Sequence, residues 1–533
     1  MTKARDSKLP LPDPARSETA HNPREWIAHW ARTRGDRPAL VFEGTSTSYS
    51  EFQNQTSRLA QRFLELGVRA GDRIAIVIDN HPAYLAAIFA GAQIGAIPLP
   101  VNTRLALKEL QFILNDAEPA LVLVDEASCD RVREALKPQG AEVLYVPKQI
   151  ADWLAALNES SPFADIVAVR ADDPGMLMYS SGTTGRPKGA LLPNRKALFN
   201  SLNAELCFGL NPDDHCLVVA PLFHSLGLHI LSLPIFHAGG CVVLHDKFSA
   251  EQALAAIGEN AITYMGGVPT HYERMLECLR AAASERFDLS SLRFAFGAGA
   301  AVAPGTIRAF ADFGVVLKQG YGQTETSMLT CLDEEHALSK AGSVGRALEH
   351  HELRVISRDG LAGQPVDWTD VQPAREPGNG EIGEIVVRGP ITMLGYWRDE
   401  QATRETLRDG WVLTGDLAEI DDEGFITLVG RSKEMFISGG ENVYPAEVEA
   451  AYADCPGIED IAVVAMPDPR WGEVGCAFVV VRPGAAFDPE AMRAWGSRAL
   501  AKFKIPHRFE AINVLPTTAS GKVQKHKLKP GLG

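Results

Sequence analysis

The segment from Tyr179 to Gly189 (YSSGTTGRPKG) concentrates the residue types that hold phosphate groups. Its glycines let the backbone approach an anion, its hydroxyls donate hydrogen bonds, and Lys188 adds positive charge. The segment is not a Walker A loop, because Pro187 precedes the lysine and Gly189 follows it. We predict a triphosphate cradle after a buried strand at 176–178, with an exposed Gly/Ser/Thr turn as the alternative. The predicted contacts are Ser181, Gly182, Thr183, Thr184, Gly185 and Lys188.

Three charged residues further along the chain could act on a nucleotide held there. Glu325 offers a hard carboxylate that, with the Thr184 hydroxyl, suits Mg²⁺; a surface carboxylate is the alternative. Asp416 can accept hydrogen bonds from two vicinal ribose hydroxyls, or it is an ordinary turn residue. Lys522 can stabilise the charge that builds up when a carboxylate attacks a phosphoryl group, although an isolated lysine is usually solvated.

The motifs around these residues resemble those of the adenylate-forming superfamily, which includes acyl-CoA synthetases, adenylation domains of peptide synthetases and firefly-type luciferases. Six motifs follow in the family's order, and the resemblance spans about residues 25–528. The motifs are SSGTTGRPKG (180–189), YGQTE (321–325), TGD (414–416), GRSK (430–433), SGGEN (438–442) and ASGK (519–522).

The resemblance implies roles for individual positions. Lys522, Glu325 and Thr184 would be catalytic, with Thr184 and Glu325 on the metal, and Lys433 would be a hinge. Other nucleotide contacts would be Tyr321, Gly322, Gln323, Thr324, Asp416 and Arg431. The acid would contact His224, Gly266, Val268, Gly297, Ala298, Gly299 and Gly320, although a core histidine and ordinary packing of small residues are alternatives. Coenzyme A would contact Ser438, Gly439, Gly440, Lys502 and Lys504, although a solvated basic face explains the lysines equally well.

The resemblance implies an acid–CoA ligase that uses ATP, Mg²⁺ and coenzyme A. The acid would be an apolar fatty, aryl or arylalkanoic carboxylic acid, because no Asp is placed to hold an amino group. One alternative is an adenylating enzyme that loads an acyl carrier protein. A luciferase-like oxygenase and a non-catalytic nucleotide sensor are two further alternatives.

Alternating helix and strand patterns predict the elements that position these residues, among them a strand at Cys241–Leu244, a helix that starts at Pro445 and a helix from about Pro489 to Phe503. Strands apolar on both faces and separated by helices indicate an α/β fold with parallel-type sheets. Ser50 and Gln53 form a possible capping box that would start one of these helices. We expect a large N-terminal domain (1–432) with a β-rich subdomain at about 345–430, and a small mobile α+β C-terminal domain (433–533).

Composition limits the remaining possibilities. The chain has 52 Lys and Arg against 67 Asp and Glu, a net charge of −15, so we expect no nucleic-acid partner. The eight cysteines form no C-x-x-C pair, which favours reduced thiols in a cytoplasmic protein. We expect no transmembrane segment. A homodimer is an option on fold analogy alone.

Overall fold

The computed structural model describes residues 22–136, 141–180, 187–281, 286–357, 382–439, 441–518 and 522–530. Two kinds of regular element alternate through most of the first 320 residues. The strands are β1 (Pro38–Phe42), β2 (Thr45–Ser48), β3 (Arg73–Val77), β4 (Ile97–Pro100), β5 (Leu121–Val124), β6 (Glu142–Tyr145), β7 (Pro174–Ser180), β8 (Lys188–Pro193), β9 (His215–Val218), β10 (Cys241–Leu244), β11 (Tyr264–Gly267), β12 (Phe294–Gly297), β13 (Leu317–Gln323), β14 (Ser327–Cys331), β15 (Arg346–Ala347), β16 (Glu352–Ser357), β17 (Gly383–Arg388), β18 (Gly395–Tyr396), β19 (Leu407–Arg408), β20 (Trp411–Ile420), β21 (Ile426–Arg431), β22 (Phe436–Ser438), β23 (Glu441–Val443), β24 (Ile458–Asp468), β25 (Gly472–Val481) and β26 (Arg508–Ala511).

Helices cover the sheets. They are α1 (Pro23–Arg34), α2 (Tyr49–Glu65), α3 (Pro82–Gln93), α4 (Leu107–Ala117), α5 (Glu126–Leu136), α6 (Ile150–Leu157), α7 (Asn194–Phe208), α8 (Leu233–Ala238), α9 (Ala250–Glu259), α10 (Pro269–Ala281), α11 (Pro304–Ala311), α12 (Glu400–Thr406), α13 (Pro445–Tyr452) and α14 (Pro489–Gly496). A π-helical segment, Leu226–Ser232, leads into α8. Among the described residues, no helix is long and apolar enough to cross a membrane.

The predicted parallel sheets are present, with antiparallel strands at their edges. In the described part of the chain, the largest sheet has nine strands in the order β15-β14-β13-β12-β11-β9-β10-β1-β2. Its central strands, from β13 to β1, are parallel, whereas β14, β15 and β2 pair antiparallel. A second sheet, β4-β3-β5-β6, is fully parallel. Both apolar faces of β11 and β12 are buried, which explains their continuous apolar sequences.

The β-rich part and the C-terminal part form separate sheets. Strands β16, β17, β20, β19 and β21 make one antiparallel sheet. Strands β22 to β26 make another sheet, in which β26 pairs parallel with β25 and the other pairs are antiparallel. Strands β7, β8 and β18 form a small antiparallel sheet that carries the two ends of the predicted phosphate loop. The loop itself, 181–186, lies outside the described residues.

The structure corrects the predicted capping box and the predicted state of two cysteines. Helix α2 begins at Tyr49, with Ser48 and Glu51 as its capping box instead of Ser50 and Gln53. The same spacing occurs two residues earlier, and there the Glu51 carboxylate accepts the Ser48 backbone N–H at 2.7 Å. The expectation of reduced thiols also fails at one pair, because Cys207 on α7 and Cys331 on β14 form a disulfide. Their separation of 124 residues gives no signal in the sequence.

Candidate active site

Three side-chain hydrogen-bond donors from β13 and β21 contact the buried carboxylate of Asp416 on β20. Its Oδ2 accepts hydrogen bonds from the Tyr321 hydroxyl and the Gln323 side-chain amide, each at 2.6 Å. Arg431 Nε lies 2.8 Å from its Oδ1. The carboxylate is therefore fixed and charge-compensated before any ligand binds, as a group that receives ribose hydroxyls should be. The structure thus brings together four residues that are spread over 110 positions of the sequence, Tyr321, Gln323, Asp416 and Arg431.

Strand register explains why these side chains meet. Asp416 and Arg431 are cross-strand partners in the β20–β21 ladder. Just before Asp416, Gly415 adopts a φ of +70°, and its amide donates to the Glu384 carboxylate at 3.0 Å. The Gln323 amide also donates to the Thr414 carbonyl at 2.8 Å, which ties the end of β13 to the same turn.

Glu325 and Lys188 lie together beside the ends of the predicted phosphate loop. Ser180 and Lys188 face each other across the β7–β8 hairpin. Glu325 is buried, and its Oε1 accepts hydrogen bonds from the Ser180 hydroxyl at 3.3 Å and the Tyr396 hydroxyl at 3.0 Å. The Lys188 ammonium lies 5.1 Å from the centre of the Tyr396 ring. The other predicted loop contacts, Ser181, Gly182, Thr183, Thr184 and Gly185, lie outside the described residues.

Glu325 fits the requirements of Mg²⁺ bound together with a nucleotide. It is a hard oxygen donor in a buried position, next to a lysine suited to phosphate. Within the described ranges, no group of three or more His, Cys, Asp and Glu side chains could hold a metal ion on its own. The site therefore suits a metal that takes one protein carboxylate and completes its shell with phosphate and water oxygens.

Lys522 reaches into this same region from the C-terminal part of the chain. Its backbone N–H donates to the Thr518 hydroxyl at 3.1 Å, and its backbone C=O accepts the Thr518 N–H at 2.7 Å. Lys522 is exposed to solvent by its surface area, although nearby protein atoms partly desolvate its ammonium. Desolvation, followed by repulsion from Arg431, lowers its pKa, while Asp416 and Glu325 act in the opposite direction. The ammonium therefore lies within electrostatic reach of both Asp416 and Glu325.

His224 lies within electrostatic reach of Lys522. Burial lowers its pKa to about 4, and the positive charge of Lys522 contributes to that shift. Its Nε2 is buried and lacks a hydrogen-bond partner among the described residues, and its ring centre lies 4.6 Å from that of Phe223. A neutral imidazole thus borders the predicted acid site and carries no charge at neutral pH.

The small residues predicted to line the acid site fall into two groups, those where packing leaves no room for a side chain and those with more space around them. At Gly297 a Cβ would lie 2.5 Å from Val302, and at Gly266 it would lie 2.7 Å from Leu231, so packing already excludes side chains there. Gly320 is similar, because a Cβ would meet Phe296 at 2.5 Å. Gly299, with a φ of +87°, has only Val268 nearby, at 3.4 Å. Ala298 is partly buried and packs against the hydrophobic core that includes Phe223 and Met328.

The predicted coenzyme A residues contact the C-terminal part itself. Ser438 is buried and pairs with Gly472, and the Gly439 amide donates to the Trp471 carbonyl at 2.9 Å. Lys504 forms an ion pair with Glu447 at 2.5 Å, and Lys502 is exposed. Gly440 lies outside the described residues. These positions stay a prediction.

Sequence analysis missed Tyr396. It lies on the two-residue strand β18, far in sequence from both Glu325 and Lys188, and no motif quoted above includes it. A hint lies in Gly395-Tyr396-Trp397 itself, since a glycine before two aromatic residues in a polar stretch suggests a buried turn. Thr324, by contrast, was predicted, and it lies in the turn that connects β13 to β14.

Comparison with known proteins identifies the family. A family model described as AMP-binding enzyme matches residues 27–397, and one described as AMP-binding enzyme C-terminal domain matches residues 447–522. The chain belongs to the AMP-binding enzyme family. The superfamily and the α/β fold predicted from the sequence, with a large N-terminal and a small C-terminal part, are confirmed.

Relatives of this AMP-binding enzyme align along nearly its whole length. A feruloyl-CoA synthase from Amycolatopsis is 39% identical over 95% of this chain and 98% of the relative. An indoleacetate–CoA ligase from Aromatoleum aromaticum is 38% identical over 95% and 97%. The crystal structure of ATP-bound MatB from Rhodopseudomonas palustris is 30% identical, covers 94% of this chain and 97% of that one, and gives a TM-score of 0.84. The apo structure of MatB gives only 0.75, so the present arrangement is closer to the ATP-bound form.

Proposed function

We propose that this AMP-binding enzyme is an ATP-dependent acid–CoA ligase. In the first step a carboxylate oxygen attacks the α-phosphorus of ATP, an acyl-adenylate forms, and pyrophosphate leaves. In the second step the thiol of coenzyme A loses its proton and attacks the acyl carbonyl, which gives a thioester and AMP. The observation that carries the proposal is the position of Lys522 within electrostatic reach of Asp416 and Glu325.

Each charged residue has a separate task in the first step. Asp416, held by Arg431 and Tyr321, would accept the ribose hydroxyls and so fix the nucleotide along the cleft. Glu325 would hold Mg²⁺, which neutralises phosphate charge when it is bound. Lys522 would stabilise the negative charge shared by the attacking carboxylate and the α-phosphate. Desolvation around the ammonium strengthens its attraction for these oxygens.

The surroundings of His224 favour an apolar acid of the aryl or arylalkanoic class. The ring of Phe223 and the neutral imidazole of His224 supply an uncharged lining, and Ala298 and Met328 belong to or pack against the same hydrophobic core as Phe223. Feruloyl and indoleacetyl groups, which the names of two relatives specify, are both aromatic. We therefore place aryl-substituted acids ahead of medium-chain and long-chain fatty acids.

Coenzyme A is the proposed acceptor, and an acyl carrier protein is the alternative. The names of both relatives specify coenzyme A thioesters, which supports the first choice. Ser438, Gly439, Gly440, Lys502 and Lys504 are the positions proposed to contact it in the second step, with Lys433 as the pivot that brings them to the cleft.

A panel of acids tests the proposal. AMP release is measured with cinnamic-type, arylacetic and medium-chain fatty acids, each with coenzyme A, with a phosphopantetheinylated carrier protein, and with neither acceptor. We expect rapid AMP release with an aromatic acid only when coenzyme A is present. AMP release that depends on the carrier protein would show that the carrier protein, and not coenzyme A, is the acceptor. No AMP release with any acid would contradict the ligase activity itself.

A further inference from the structure

Tyr396 contacts two residues of the proposed phosphate site at once. Its hydroxyl donates to Glu325 Oε1 at 3.0 Å, and its ring lies 5.1 Å from the Lys188 ammonium. Glu325 follows β13 in the large sheet, whereas Lys188 starts β8 in the small antiparallel sheet. One side chain therefore links an anionic and a cationic group that come from different parts of the fold.

The backbone around Tyr396 is fixed from both sides. Tyr396 pairs with Ala190 in the β8–β18 ladder, and its amide donates to the Thr403 hydroxyl at 2.8 Å. The next residue, Trp397, donates its amide to the Gly189 carbonyl at 2.7 Å. Trp397 also donates its indole N–H to the Asp116 carbonyl at 3.0 Å. The phenol is thus held at a set distance from the strand that carries Lys188.

The hydrogen bonds also select one orientation of the Glu325 carboxylate. In the part of the chain that the structure describes, donors from Tyr396 and Ser180 reach Oε1 and none reaches Oε2. A carboxylate oxygen can only accept, so the Tyr396 hydroxyl is the donor in its contact with Oε1. Oε2 is left as the oxygen available to a metal.

We infer that Tyr396 is a positioning residue for Mg²⁺ and the ATP phosphates. Its hydroxyl orients Glu325 toward the metal, and its ring supports the Lys188 ammonium on the phosphate side. The inference rests on the proposed function, since it requires that ATP and Mg²⁺ bind between these residues. It separates two contributions of one side chain, and two substitutions can remove them in turn.

Calorimetric titration of ATP into the enzyme without acid measures binding in the absence of turnover. Tyr396→Phe removes only the hydroxyl, and we expect the Mg²⁺ concentration needed for half-maximal ATP affinity to rise about tenfold, the value of a hydrogen bond to a charged group. Affinity at saturating Mg²⁺ should stay near that of the wild type. Tyr396→Leu also removes the ring face, so ATP affinity should fall several-fold even at saturating Mg²⁺.

Tyr49→Phe is the matched control. Tyr49 is buried, and its hydroxyl donates to the Gly240 carbonyl at 2.7 Å, away from the phosphate site. It should lower the melting temperature without changing the Mg²⁺ requirement. An unchanged requirement in Tyr396→Phe, or an equal loss of affinity at every Mg²⁺ concentration, would overturn the inference and leave the ligase proposal intact. Failure of the wild-type enzyme to bind ATP would contradict the proposed function and this inference together.

Discussion

At the scale of single residues, the site works by holding charges in place before a ligand arrives. Asp416 already has three donors, and Glu325 already has two. Lys522 differs, because no hydrogen bond or ion pair fixes its ammonium among the described residues. Its desolvation lowers its pKa, so the ammonium is poorly compensated until a negative group enters the cleft.

Replacement of Lys522 by Ala should remove the first step selectively. Loss of one preorganised charge in such a site costs about 3 kcal/mol or more, which is roughly a hundredfold in rate. ATP–pyrophosphate exchange should therefore fall by at least about that factor. A chemically prepared acyl-adenylate should still be converted to the thioester, because the lysine is proposed to act before that point. Near-normal exchange in the variant would contradict the assignment.

Ala298 should control which acids fit. Ala298 follows the last residue of β12 and packs against the core that includes Phe223, whereas a Cβ at Gly297 would meet Val302. Ala298→Leu should lower turnover of bulky aryl acids relative to short acids by about tenfold, since added volume excludes ligand atoms. Gly297→Ala is the control, and it should lower the melting temperature without changing the order of preference. Relative rates for a series of acids would decide, and identical selectivity in Ala298→Leu would count against this placement.

At the scale of elements, much of the architecture can be predicted from local patterns. The strand at Cys241–Leu244 and the start of α13 at Pro445 match the sequence analysis residue for residue, because an apolar run and a proline at the first helical position are local signals. Helix α14 was predicted to continue to Phe503, but it ends at Gly496. A Cβ at Gly496 would lie 2.1 Å from the Tyr452 hydroxyl, so the close approach of α13 requires a glycine at this last residue of the helix.

The candidate site shows the same division. The residues proposed to contact the ribose lie in three recognisable motifs, and the structure brings the side chains of Tyr321, Gln323 and Arg431 to Asp416. The contacts of Tyr396 with Glu325 and Lys188 could not be predicted from the sequence. They depend on the β8–β18 pairing, which joins residues about two hundred positions apart. The different surroundings of Gly297 and Ala298 could not be predicted from the sequence either, since they depend on how the end of β12 packs against the rest of the fold.

The turn before Asp416 offers a test at this scale. Gly415 has a φ of +70° and no atom within 4 Å of an added Cβ, so Gly415→Ala adds backbone strain of about 1–2 kcal/mol without a clash. Gly424 has a φ of +82° and equal space, at the far turn of the same β20–β21 pair. Both substitutions should lower stability alike, but only Gly415→Ala should weaken ATP binding. Equal ATP affinities in the two variants would show that this turn does not position Asp416.

At the scale of the whole molecule, one arrangement of the two parts cannot serve both half-reactions well. Lys522 occupies the cleft in the present arrangement, which is closer to ATP-bound than to apo MatB. Coenzyme A needs access to the same acyl carbonyl after adenylation. We propose that the C-terminal part turns about Lys433, an exposed residue in the turn between β21 and β22.

Lys433→Pro should separate the two steps. Proline fixes φ near −65°, which prevents the backbone change that a pivot requires. We expect adenylate formation to survive and thioester formation to fall by about a hundredfold or more, because misplacement alone can cost that much. Single-turnover kinetics of each half-reaction, with Lys433→Ala as control, would measure this. Equal losses in both steps would indicate general damage, and no loss in either would identify Lys433 as an ordinary linker residue.

Buried histidines should make the whole molecule sensitive to acid. Burial lowers the pKa of His81, His224, His271 and His351 to about 4 and that of His229 to about 3. Below about pH 6.5 these histidines bind protons in the unfolded chain but stay neutral in the folded chain. Their contribution to the free energy of unfolding is therefore complete above that pH and is lost as the pH falls toward 4. The melting temperature should therefore decrease steadily from pH 7 to pH 5.

His81→Asn isolates one contribution. His81 Nδ1 caps α3 by accepting the Ala83 amide at 3.1 Å, and asparagine can keep that cap without titrating in this range. The variant should show a shallower decrease of melting temperature with acid than the wild type. His526→Asn, at an exposed position, should retain the wild-type slope. Parallel slopes in all three proteins would mean that His81 does not contribute to acid sensitivity.

The cross-strand pair of Asp416 and Arg431 also bears on how such enzymes can be recombined. Arg431 ends β21, and Lys433 follows only two residues later. A chimera joined before Arg431 would import a foreign partner for Asp416 along with the foreign C-terminal part, and it would therefore change nucleotide affinity and acceptor choice at once. A junction immediately after Lys433 would keep the native Asp416–Arg431 pair and the native pivot, so that the two properties could be exchanged independently.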